Sequence, residues 1–262
     1  MRFADAALAR RLEAAETANA RGCTSQPGAA YLEIGGGCAI FAGAESPLTQ
    51  AVGLGLHGPV HAAEIAEMEH FFSSRGARTS IDLCPLADPG LVAVLADRGY
   101  RLTQFNNVMV KHLATAEIVF TPRVRRALPD EADLWSHAVG RGFFEQTDLT
   151  TDEMEVGRAI FAMPGTLCYF TVSESGEPAG GAAAAIHSGL MTLFADSTVR
   201  SYRRSGMHRE LIMARLNEAA AQGCDMAVAS TLPGSASQRN YERSGFEVVY
   251  TRVTLTGPGT GF

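Results

Sequence analysis

Residues 198 to 246 decide how this chain is read. Thr198-Val199 closes a strand-like apolar run, and Arg203-Arg204-Ser205-Gly206-Met207-His208 follows it. A helical pattern then carries Ile212, Leu216, Ala219 and Ala220 on one stripe until Gly223 ends it. Met226 to Thr231 is a second apolar run of strand length. After a turn comes Ser237-Gln238-Arg239-Asn240-Tyr241-Glu242-Arg243-Ser244-Gly245-Phe246. A helix that opens directly after a strand presents unpaired amide N–H groups and about half a unit of positive charge, a natural cradle for a pyrophosphate.

Working outward, Leu190 to Val199 reads as the strand that enters this segment. Leu167 to Val172 and Ala179 to Ile186 flank the turn sequence Glu174-Ser175-Gly176-Glu177-Pro178. Upstream lie a strand near Val124 to Leu128 and helical patterns at Asp130 to Val139 and Thr151 to Phe161, with a Gly-Phe-Phe loop expected between the two helices. Ala114 to Pro122 reads as a linker.

Before the linker, Ala4 to Ala20 is an Ala-rich helical pattern, and Tyr31 to Ile34, Cys38 to Ala42 and Gln50 to Leu56 read as strands. Ala62 to Ser73 places Ile65, Met68 and Phe72 on one helical face. Ser80 to Cys84 is a strand stopped by Pro85, Asp88-Pro89 opens a helix, and Phe105 to Leu113 is a further strand. Gly35-Gly36-Gly37 has no helix after it and reads as a hairpin turn. His57 and His61 are separated by Gly58-Pro59, so one helical face does not present both, and no metal site is expected.

At 262 residues the chain has room for two domains of ordinary size. With 46% hydrophobic and 19% charged residues it should fold without help. Twenty-eight acidic residues against twenty-two Lys plus Arg give a net charge of -6, and no basic run interrupts the chain, so nucleic acid is not an expected partner. No apolar run reaches the roughly 18 residues of a membrane helix, and Met1-Arg2-Phe3-Ala4-Asp5 lacks a signal-peptide centre. A cytoplasmic protein with no membrane partner is expected. The five cysteines, Cys23, Cys38, Cys84, Cys168 and Cys224, are odd in number and set among apolar residues, which reads as buried free thiols.

The order of parts from Arg123 to Phe262 resembles the GCN5-related N-acetyltransferases. The N-terminal half repeats the later part of that pattern, with Gly99-Tyr100 falling where Gly245-Phe246 falls, but it has no Arg-x-x-Gly and carries Leu95 where the second half has Tyr241. The resemblance therefore implies an α/β (α+β) protein of two mixed-sheet domains in tandem. Residues 1–115 would form a degenerate copy without a cradle, and residues 116–262 the complete domain.

In that family Gln/Arg-x-x-Gly-x-Gly/Ala cradles the pyrophosphate of acetyl-CoA, the co-substrate. Arg203 and Gly206 match, and His208 stands where a small residue is usual. Ser197, Thr198, Val199, Arg203, Arg204, Ser205, Gly206, Met207, His208, Ser237 and Asn240 are the implied cofactor contacts, Asn240 because Gly234 stands where the family often places an asparagine. The strand ending near Val199 would pair with the pantetheine arm, and a backbone N–H near Thr198 would polarise the thioester carbonyl. Tyr241 holds the place of the general acid, or else is a core tyrosine with its hydroxyl at the surface. Asp196 is either the acceptor of the amine's proton or a solvated strand residue. Phe144 and Glu145 would line the acceptor pocket, although an acidic loop also serves solubility. The implied activity is direct acetyl transfer to an amine of a small molecule, by a monomer or homodimer. The alternative is an acyl-CoA-binding sensor without turnover.

Overall fold

The computed structural model describes residues 3–113 and 118–258, so positions 114–117 of the expected linker lie outside the described residues. The chain divides into two compact units, Met1–Val108 with Val248–Phe262, and Met109–Glu247. Among the described residues no helix is long and apolar enough to cross a membrane.

In chain order the elements are α1 (Ala6–Gly22), β1 (Ala30–Ile34), β2 (Gly37–Phe41), β3 (Gln50–Val52), α2 (Ala62–Ser73), β4 (Ser80–Leu83), α3 (Pro89–Asp97) and β5 (Arg101–His112). Then come β6 (Val124–Arg126), α4 (Ala132–Phe143), α5 (Thr151–Phe161), β7 (Leu167–Val172), β8 (Pro178–His187), β9 (Leu190–Thr198), α6 (Met207–Ala221), β10 (Met226–Thr231), α7 (Ala236–Arg243) and β11 (Glu247–Thr256).

In the first unit the strand order is β1-β2-β3-β4-β11-β5. The β1–β2 hairpin turns on Gly35 and Gly36, whose φ of 58° and 78° are the paired left-handed values a two-residue hairpin needs. β3 stops at Val52, short of the expected Leu56, because Gly53 and Gly55 also take positive φ and leave the strand. β3 and β4 are parallel, and the final strand β11 lies antiparallel to β4. The division expected at 115/116 differs from the observed units, which change at 108/109 and return the last strand to the sheet of the first unit. Ile65, Met68 and Phe72 of α2 face that sheet with Ile81, Leu83, Leu91 and Leu95.

A buried charge cluster also belongs to this unit. Arg252 donates to Glu13 at 2.9 Å, Tyr250 Oη donates to the same carboxylate at 2.7 Å, and Glu16 and Asp82 stand 3.8 and 3.9 Å from Arg252.

The second unit has the order β10-β9-β8-β7-β6, antiparallel except for the parallel β9–β10 pair. Its middle strand β8 is the small-residue run Pro178-Ala179-Gly180-Gly181-Ala182-Ala183-Ala184-Ala185, buried from Ala179 to Ala185. A Cβ on Gly181 would meet Trp135 of α4, while its neighbour Ala182 packs with Leu211 of α6. Successive strand residues point to opposite faces, so α4 and α6 cover opposite sides of the sheet. α4 runs through Gly142 and Phe143, where a loop was expected. Glycine is required at 142 despite its weak helix preference, because a Cβ there would come within 2.8 Å of the Thr198 carbonyl carbon. All five cysteines are buried and free, and burial pushes the Cys168 thiol up to about 12, leaving it unreactive.

Candidate active site

The parallel ladder between β9 and β10 ends at Leu193 and Ala229, yet β9 continues to Thr198 and β10 to Thr231. The strands part there, and backbone groups of β9 face the gap. The parting starts at a β-bulge. Gly181 faces Ser197 and Ala183 faces Phe194, so Ala182 alone stands opposite both Ala195 and Asp196. Ala195 takes φ 54°, a left-handed conformation that costs a non-glycine residue about 1–2 kcal/mol.

Beyond Thr198 a single 3-10 turn, Arg200–Tyr202, leads to α6. Arg204 and Gly206 both have positive φ, 65° and 87°, which turns the chain so that Gly206 opens α6 with no side chain capping the helix. The first amides of a 15-residue helix are therefore left for an anion. Glu210 in the first turn would oppose one, but Arg123 binds its carboxylate at 2.5 Å and also donates to Ser205 O at 3.0 Å. The matching helix of the first unit is closed: Glu64 accepts from the backbone N–H of His61 at 2.8 Å, so a carboxylate already occupies the N-terminus of α2.

The side chains implied to bind the cofactor are placed as follows. Ser197 turns inward and donates to Val139 O of α4 at 2.7 Å, and Val199 and Met207 are buried. Arg204 and Ser205 are exposed on the turn. Arg203 and Glu145, assigned by the sequence to two different ligands, instead pair with each other at 2.6 Å. Arg203 also donates to Thr198 O at 3.1 Å and Gly142 O at 2.9 Å. Its hydrogen bond and then its charge hold the Glu145 carboxyl below the usual carboxylate range. Phe144, the C-cap just past α4, lies edge-on to Phe143. Ser237 sits in the first turn of α7, which is capped by Ser235 rather than Ser237. The Asn240 amide is turned inward to His208 Nδ1 at 2.9 Å, so it is not the free amide the sequence suggested.

His208 is one member of a buried polar network. The Asn240 amide meets Nδ1, and Nε2 faces Asp196 Oδ1 at 3.4 Å. Tyr241 is 1% exposed, and its hydroxyl donates to Asp196 Oδ2 at 2.5 Å. Arg215, fully buried, forms an ion pair with the same carboxylate. Burial by itself would raise the Asp196 carboxyl; Arg215 and His208 outweigh it and hold it well below the usual range. Burial and then the Asp196 charge push the Tyr241 phenol well above its ordinary value.

Two expectations change. Asp196 is not a solvated strand residue, and a carboxylate that acidic is a poor acceptor for an amine's proton. Tyr241 has its hydroxyl inside, not at the surface. Arg215 went unnoticed in the sequence, although an arginine between Leu211, Ile212, Leu216 and Ala219 on an apolar stripe is a legible sign of a buried counter-ion.

The sequence matches no family model and no curated protein. Solved structures do match in fold. A GCN5-related N-acetyltransferase from Kribbella flavida aligns over 95% of both chains with TM-score 0.68 and 21% identity. A tandem GNAT protein from the clavulanic acid biosynthesis pathway covers 97% of this chain and 95% of its own, with TM-score 0.62 and 16% identity. A GCN5-related N-acetyltransferase from Sphaerobacter thermophilus covers 89% of this chain and 78% of its own, with TM-score 0.58 and 14% identity. The chain has the tandem GCN5-related N-acetyltransferase fold.

Proposed function

We propose that the second unit is an acetyl-CoA-dependent N-acetyltransferase that passes the acetyl group directly to an amine of a small molecule. The observation that carries this reading is the parting of β9 from β10 immediately before an uncapped helix N-terminus. One feature suits an extended arm with amide groups, the other a pyrophosphate. These residues fit acetyl-CoA: Met207 to Arg209 would hold the phosphates by backbone amides, and β9 from Ala195 to Thr198 would hold the arm. When bound, acetyl-CoA supplies an acetyl group activated as a thioester.

The chain's own residues then have defined tasks. The backbone N–H groups of β9 near Thr198 bind and orient the carbonyl, a kind of donor commonly worth ~10²–10³ in rate. Tyr241 keeps its proton through the physiological range and is the candidate donor to the departing sulfur, which requires its hydroxyl to leave Asp196. Asp196 stays ionised, so the amine's proton goes to water. Glu145 borders the cradle through its pair with Arg203, and it and Phe144 are assigned to the acceptor side.

A second reading, an acyl-CoA-binding sensor, is favoured by the engagement of the Tyr241 hydroxyl with Asp196. An amine panel offered with acetyl-CoA, read by release of free CoA thiol, separates the two. Turnover with at least one small amine is expected; binding of acetyl-CoA without turnover on any amine would favour the sensor.

A further inference from the structure

We infer that Arg215 is a positioning residue that fixes the bulge of β9 in the register that faces the acyl donor. The inference rests on the reading of this site as an acyl-CoA site. A guanidinium carries five N–H donors and keeps its charge when buried, so at no exposure every donor needs a partner. Arg215 Nε donates to Leu211 O of its own helix at 3.0 Å, and Nη1 donates to Ala183 O of β8 at 3.0 Å, with Phe194 O of β9 at 3.5 Å. Nη2 binds the Asp196 carboxylate.

These acceptors bracket the bulge. Ala183 and Phe194 form the last regular pair on one side of it, and Asp196 is one of the two residues that share Ala182. One guanidinium therefore ties both strands together where their ladder is broken.

The tie also selects a register. In the bulged arrangement Asp196 points to α6 and Ser197 to α4, where it meets Val139 O. Removing the bulge by a one-residue slip would send each side chain to the opposite face and place the Asp196 charge against α4. Arg215 on α6 makes that slip unfavourable. The His208 and Tyr241 contacts to the same carboxylate hold it from the side of α7 and the cradle. Lysine keeps the charge but not the fork, so it cannot serve both carbonyls and the carboxylate.

The test uses the intact chain and three variants: Arg215→Lys, Arg215→Met, and the charge-neutral pair Asp196→Asn with Arg215→Met. Amide hydrogen exchange over residues 194–198 is measured without ligand. Affinities for acetyl-CoA and for adenosine 3′,5′-bisphosphate, which has the phosphate end without the arm, are measured by calorimetry. Exchange in that segment should speed up, and acetyl-CoA affinity should fall, by about ten-fold or more in the neutral pair, with Arg215→Lys between it and wild type. Affinity for the bisphosphate should stay within about two-fold. Exchange within about two-fold of wild type in a folded variant, or equal losses for both ligands, would overturn the inference. If the Met variants do not fold, Arg215→Lys carries the same comparison with the same criteria. Failure of wild type to bind acetyl-CoA would remove the functional reading, while the exchange comparison still decides the role of Arg215.

Discussion

Asp196 gathers two donors, Arg215 and Tyr241, around one buried carboxylate, and the two have different consequences. The Arg215 pair is structural in energy as well as position, since stranding either buried charge costs about 3–5 kcal/mol. The Tyr241 hydrogen bond is a buried bond to a charged group, worth about 1.5–3 kcal/mol. Tyr241→Phe removes it and keeps the ring packed against Phe246 at 4.9 Å, so calorimetric melting should fall by several degrees. An unchanged midpoint would mean that the hydroxyl is not held by Asp196. In the first unit, burial outweighs Arg252 and raises the Asp82 carboxyl. A raised carboxyl favours the native state when protonated, and that contribution is lost as pH rises from the unfolded value of about 3.9 through the higher folded value. Asp82→Asn stays neutral throughout. Its stability relative to wild type should therefore improve from pH 4 to pH 8 in melts taken at matched ionic strength; a difference constant with pH would show that Asp82 titrates normally. Gly206, Tyr241 and Asp196 could be picked out of the sequence as candidates because they sit in or beside short patterns. Their mutual contacts were not: His208 was read only as part of the cradle, and Arg215 left no more than a charge on an apolar stripe, because the meeting of both with Asp196 exists only in the fold.

The elements that build the site depend on close backbone approach. α4 lies against the end of β9 because Gly142 has no Cβ, and the same contact lets Arg203 reach Gly142 O from the cradle turn. Gly142→Ala forces a methyl group against Ser197 and Thr198, and overpacking of this kind costs about 1–3 kcal/mol. The expected result is a lower denaturation midpoint in urea with an unchanged slope. A midpoint equal to wild type would place α4 further from β9. The strands and helices of the second unit were readable from apolar periodicity and turn residues, and α5, β7 and β10 match their expected bounds. The end of α4 was not readable, since Gly140 and Gly142 look like breakers until their packing partners are known. The bulge in β9 was also hidden, because Phe194-Ala195-Asp196-Ser197 carries no glycine to announce a left-handed residue.

At the scale of the molecule, the two units are unequal copies of one plan. Each has a parallel strand pair followed or bridged by a helix, but α2 closes its own N-terminus with Glu64 whereas α6 leaves its first amides uncapped. The repeated order of elements was visible in the sequence. The return of β11 to the first unit was not, because strand pairing between distant segments leaves no local signal. If α6 and β9 form the proposed acetyl-CoA site, thermal melting of the intact protein with and without acetyl-CoA should register it. A ligand at 100-fold its dissociation constant adds about 2.7 kcal/mol, which for a chain of this size is roughly 5–10 °C. That shift is expected for wild type and none for Gly206→Asp, which sets a carboxylate beside the helix amides and strains a left-handed position. No shift in wild type at millimolar acetyl-CoA, or an equal shift in Gly206→Asp, would contradict it.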